Sequence, residues 1–115
     1  MGQFIQEKEN VSVGNGQITV EALIGNLQQG ATRISLDSKI IGRGATRVHA
    51  YVGKGSVKGT LRVEAAATDI NTAPTADTIP LTIYILEDGK TTWSKTYDPS
   101  SKDGEMILFE INIQL

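Results

Sequence analysis

The chain of 115 residues has no cysteine and a single histidine, His49. Without cysteine there is no disulfide, no thiol nucleophile and no thiolate metal site. One imidazole cannot build a zinc site of two or three histidines. A Ser-His-Asp arrangement would have to use His49, and no Gly-x-Ser-x-Gly elbow occurs anywhere in the chain. The run Gly53-Lys54-Gly55-Ser56 imitates the end of a phosphate loop, but Val48 stands where the first glycine belongs and Gly55 where the hydroxyl belongs. Long apolar runs are missing as well. Nothing approaches the roughly 20 residues of a membrane helix, and the opening Met-Gly-Gln-Phe-Ile-Gln lacks a basic region followed by an apolar one. The expectation is therefore a chain without membrane insertion, without a cofactor and without an assigned metal ligand, and not an enzyme.

What is present is alternation. Ile18, Val20, Ala22 and Ile24 share one parity, as do Thr46, Val48, Ala50 and Val52, and again Val57, Leu61, Val63, Ala65 and Ala67. In the last segment Ile107, Phe109, Ile111, Ile113 and Leu115 alternate with Leu108, Glu110, Asn112 and Gln114. Period-two patterns of this kind predict half-buried strands. Turn signals fall between them: Asn15-Gly16, Gly53-Lys54-Gly55-Ser56 and Glu87-Asp88-Gly89-Lys90, each read as a hairpin. The expected fold is all-β, an antiparallel β-sandwich of the immunoglobulin-like or jelly-roll-like kind, built as one domain from residues 1–115. Val20, Leu23, Ile24 and Leu27 also match a helical template, so a short helix near residues 20–29 competes there with the favoured strand. Thr68 to Thr78 reads as a polar sheet-to-sheet connection.

Charge is unevenly placed. Residues 33–62 hold seven basic side chains and one acid, a net +6, whereas residues 63–115 carry net −6 and the whole chain only −2. Such asymmetry points to an anionic partner or to head-to-tail contact between copies, and the negative total disfavours long nucleic acid. If Val52 pairs with Val57, Tyr51 faces Lys58, His49 faces Thr60 and Arg47 faces Arg62. With Arg43 and Lys54, these residues form a candidate basic binding hairpin for an anion or an acidic protein surface. Around Asp88-Gly89, Tyr84 falls opposite Trp93, either as an exposed aromatic platform of the kind that stacks on sugars or as core. Asp98, Asp103 and Glu105 lie in one loop with the oxygens for calcium but without EF-hand spacing. The leading function is a non-enzymatic structural or assembly protein, of virion, tail, pilus or surface-layer type, acting through a protein partner or other copies of itself as a homo-oligomer. The alternative is a small module for an anionic or saccharide ligand.

Overall fold

The computed structural model describes residues 2–26, 28–71, 73 and 77–115. Alternation becomes nine strands, and no helix forms among the described residues. The strands are β1 (Gln3–Asn10), β2 (Gln17–Ile24), β3 (Gln29–Leu36), β4 (Lys39–Gly44), β5 (Arg47–Lys54), β6 (Thr60–Thr68), β7 (Leu81–Glu87), β8 (Lys90–Tyr97) and β9 (Met106–Gln114). They build a five-stranded sheet, order β1-β9-β6-β3-β4, and a four-stranded sheet, order β5-β2-β7-β8. The fold is thus all-β, with the two sheets packed face to face as a β-sandwich.

In β2, β5, β6 and β9 the inward parity is the parity read from the sequence. Val48 and Leu61 meet Ile83, Ile85, Phe109 and Ile111 in one core, none of them more than 4% exposed. Among the described residues of the 20–29 segment no helix forms: β2 runs through Ile24, with Val20, Ala22 and Ile24 buried and Leu23 turned outward. Leu27, on which the helical pattern also rested, lies outside the described residues. Pairing on both sides, with β5 and β7, gives β2 more backbone hydrogen bonds than an isolated two-turn helix would keep.

Two of the three hairpins read from the sequence are corrected. Asn15-Gly16 does not join paired strands, because β1 pairs in parallel with β9 while β2 belongs to the other sheet. The sandwich is therefore not purely antiparallel. Glycine is needed there for close approach: Gly14 N and Gly16 N donate to the Glu87 carboxylate at 3.0 and 3.1 Å, and a Cβ on Gly16 would come within 2.5 Å of Asp88 Oδ2. Gly53 to Ser56 likewise carries the chain from β5 in the four-stranded sheet to β6 in the five-stranded one. The third hairpin is as read, β7 to β8, with Asp88 and Gly89 at φ 51° and 82°. One more hairpin went unread. Asp37 and Ser38, at φ 48° and 72°, turn β3 into β4 without the glycine that usually announces this turn. The Thr68–Thr78 segment is the sheet-to-sheet connection expected, although Thr72, Pro74, Thr75 and Ala76 lie outside the described residues.

Candidate functional site

Because β5 and β6 lie in different sheets, the predicted basic hairpin is divided. Tyr51 does not face Lys58, His49 does not face Thr60, and Arg47 does not face Arg62. Arg47, His49 and Tyr51 project from the outer face of the four-stranded sheet, opposite Leu23, Glu21 and Thr19 of β2. Arg62 and Arg43 project from the outer face of the five-stranded sheet, and Lys54 and Lys58 are exposed near the connecting loop. The aromatic pair is also split. A bulge between Ile85 and Leu86 sets Trp93 opposite Ile85, so the indole turns inward and packs against the core while Tyr84 points outward.

The outer face of the four-stranded sheet is self-satisfied. Glu21 sits in register between His49 and Tyr84. Its carboxylate accepts from Arg47 Nε at 2.7 Å and lies 3.9 Å from His49 Nδ1. Threonines and Ser94 fill much of the rest.

On the five-stranded sheet one row reads across four strands as Glu110 (β9), Glu64 (β6), Arg33 (β3) and Arg43 (β4), each the register partner of the next. Two like-charge pairs therefore flank one unlike pair, an arrangement that is unfavourable within an isolated sheet. Arg33 Nη2 bonds Glu64 Oε1 at 3.0 Å, and neutral Gln6 donates to Glu110 at 2.6 Å. Among the described residues Arg43 has no ion-pair or hydrogen-bond partner for its side chain. The neighbouring row is apolar: Phe4 and Leu108, 59% and 44% exposed, lead into Ala66 and Ala31, with Met106 beside them. On the other side of the charged row lies an open groove of about 500 Å³. Lys8, Arg62 and the amides of Asn10, Asn112 and Gln114 line it.

The sequence pattern had placed Leu108 and Glu110 on the polar parity of the last strand, and an apolar residue there was the available signal. Phe4, Glu64 and Arg33 join them only because β1, β6 and β3 converge around β9, a topology that turn signals did not reveal.

At the edge shared by β1 and β8 a polar clasp ties the two sheets. Glu9 Oε2 accepts from Lys95 Nζ and from the Tyr97 hydroxyl, both at 2.7 Å, and Lys95 Nζ lies 5.3 Å from the Tyr97 ring centroid. The Lys95 and then the Tyr97 hydrogen bond hold the Glu9 carboxyl below its ordinary value. Burial, reinforced by the Glu9 charge, pushes the Tyr97 phenol up.

No family model, curated protein or solved structure matches the chain.

Proposed function

We propose that this is a non-enzymatic structural protein that assembles with further copies of itself through the outer face of the five-stranded sheet. The row Glu110, Glu64, Arg33, Arg43 carries the reading. A two-fold axis parallel to the strands, passing between β6 and β3, reverses the row in a second copy laid face to face. Glu110 then meets Arg43 of the second copy and Glu64 meets its Arg33, so a pattern strained within one chain becomes complementary between two. Contacts of this isologous kind are the usual basis of homodimers. In the next row Ala66 and Ala31 would overlie one another and let the sheets approach, with Leu108 and Phe4 supplying apolar area at the flank. Face contact is favoured over edge contact because the free edge strand β1 carries Glu7, Lys8 and Glu9.

The lone imidazole, His49, stands 53% exposed on the opposite face beside Glu21, an arrangement suited to a solvated surface and not to catalysis. Nine strands match the count of a variable-type immunoglobulin sandwich better than the eight of a jelly roll. The isologous contact closes at two copies, so in a repeating assembly of virion, tail, pilus or surface-layer type this dimer would be the building unit.

Sedimentation of the purified chain tests the reading. Self-association should weaken as added salt shortens the screening length from about 30 Å at 0.01 M to about 3 Å at 1 M. Arg43→Glu or Glu110→Arg alone should abolish it by repulsion, and the two together should restore it. A monomer at every salt concentration, or a double variant no better than the singles, would sink the proposal. The groove beside Lys8 and Arg62 supports a second reading, a small anionic or saccharide ligand. Titration of oligosaccharides and inorganic anions would favour that reading if binding appears without self-association and is lost in Arg62→Ala.

A further inference from the structure

We infer that Asp69, Asp77 and Asp103 form a calcium site that joins the β6–β7 connection to the β8–β9 loop. This goes beyond the self-assembly reading and does not rest on it. The three side chains come from distant parts of the sequence, yet one carboxylate oxygen of each lies within 4.8 Å of the other two. Two oxygens on opposite sides of a calcium ion at about 2.4 Å each are about 4.8 Å apart, so one ion spans this cluster.

The independent observation is the state of Asp69. It is only 1% exposed, and among the described residues its Oδ1 has no hydrogen-bond partner. Its Oδ2 accepts from Ser101 Oγ. None of the ion pairs among the described residues involves Asp69, Asp77 or Asp103. A carboxylate taken out of water is strongly disfavoured unless a cation or donors compensate it, and two further carboxylates beside it add repulsion. A bound divalent cation removes both difficulties together.

The backbone holds the cluster in place. Asp69 N donates to Glu105 O at 2.9 Å, Gly104 N donates to Asp69 O at 2.8 Å, and Ser101 N donates to Asp77 O at 2.9 Å. Thr78 and Ser100 form a β-bridge next to it. An all-oxygen, carboxylate donor set selects a hard cation, and zinc would want nitrogen or sulfur. Calcium tolerates the irregular geometry that two loops provide, whereas magnesium demands a tighter octahedron. The loop of residues 98–105 does contribute a ligand, but Asp98 is not in the cluster and Glu105 is engaged elsewhere. Glu105 Oε1 accepts from Lys102 N at 3.0 Å and from Gln3 Nε2 at 3.2 Å.

Calcium chloride titrated calorimetrically into EDTA-treated protein, with thermal melting in parallel, tests the site. A single calcium should bind each chain, and Tm should climb with calcium concentration and respond less to magnesium. Asp77→Asn with Asp103→Asn should remove both effects. These two residues are exposed, so the variant keeps the fold, which an unchanged circular dichroism spectrum and Trp93 emission would verify. The inference is overturned if neither heat nor a Tm shift appears up to about 10 mM, roughly tenfold above the dissociation constants of the weakest extracellular calcium modules. Undiminished binding in the folded double variant, or an equal response to magnesium, would overturn it too.

Discussion

On the outer face of the four-stranded sheet each strong charge finds its complement one strand away, Glu21 serving Arg47 at 2.7 Å and lying near His49. On the five-stranded sheet the same kinds of residue are arranged so that like meets like, Glu110 beside Glu64 and Arg33 beside Arg43, with one salt bridge between the pairs. The five-stranded face carries more charge, and the order of that charge across the strands sets it apart. A face whose charges close on themselves is finished as a surface. One whose charges form two blocks of opposite sign, some 14 Å from end to end at about 4.8 Å per strand, is complementary to its own rotated copy.

Both faces rest on one core, so the strongest way to break the comparison is to remove what they share. Phe109, 2% exposed, projects inward from β9, the strand whose outer side carries Leu108 and Glu110. Phe109→Ala should cost about 3–5 kcal/mol in urea unfolding, through lost burial and the cavity left behind. Both sheets should melt in one transition. A loss below about 1 kcal/mol would show that the two faces do not depend on a common interior.

Leu108→Thr acts on one face alone. Threonine keeps the strand preference while removing apolar area that is 44% exposed, so the monomer should stay within about 0.5 kcal/mol of the parent. Self-association should weaken by about 1–2 kcal/mol, roughly tenfold, if this side chain is buried between copies. An unaltered dissociation constant by sedimentation would remove the apolar row from the contact and leave the charges to carry it.

The Glu9 clasp separates edge from face. Its carboxyl is held below its ordinary value of 4.5 by Lys95 and Tyr97, so its stabilisation is present above that value and is lost as pH falls through the lower folded value. Glu9→Gln should destabilise the fold by up to about 1 kcal/mol at pH 7, a modest figure because Lys95 is 45% exposed. The difference between variant and parent should shrink in acid. Persistence of the full difference at pH 3 would mean that Glu9 acts through packing and not through charge.

The sequence made the inward parity of β2, β5, β6 and β9 legible because burial repeats every second residue, and Val20, Val48, Leu61 and Phe109 obey it. In β8 a bulge sets Trp93 opposite Ile85 and turns it inward against the sequence reading. Partner choice was hidden. Asn15-Gly16 carries a strong hairpin signal, but its glycine answers to the Glu87 and Asp88 carboxylates and not to a positive φ. Asp37-Ser38 carries a weak signal and makes a true hairpin, since Asp37 tolerates the left-handed region and its Oδ1 is fixed by Thr60 N at 2.9 Å. A third turn misleads in the same way: Gly53 to Ser56, taken as a hairpin, pairs β5 with β6 and assembles a basic hairpin that does not exist, because the two strands lie in different sheets. The charge asymmetry was real in the sequence, but only the order β9-β6-β3-β4 turns it into a row, and its β9-β6 and β6-β3 pairings join strands far apart in the chain, which no local pattern encodes.

The smallest effect is expected where the comparison predicts silence. Glu21→Gln removes the carboxylate that Arg47 and His49 share, yet Arg47 is 70% exposed and water can take over its hydrogen bonds. Stability should shift by under about 0.5 kcal/mol. The decisive readout is association: a change confined to the four-stranded face should leave the sedimentation profile of the parent intact at every salt concentration, although it alters net charge by the same single unit as deleting Glu110. If Glu110→Gln weakens association and Glu21→Gln does not, placement on the five-stranded face matters and bulk charge does not. If the two variants behave alike, self-association follows total charge, and the row of Glu110, Glu64, Arg33 and Arg43 has no special part in it.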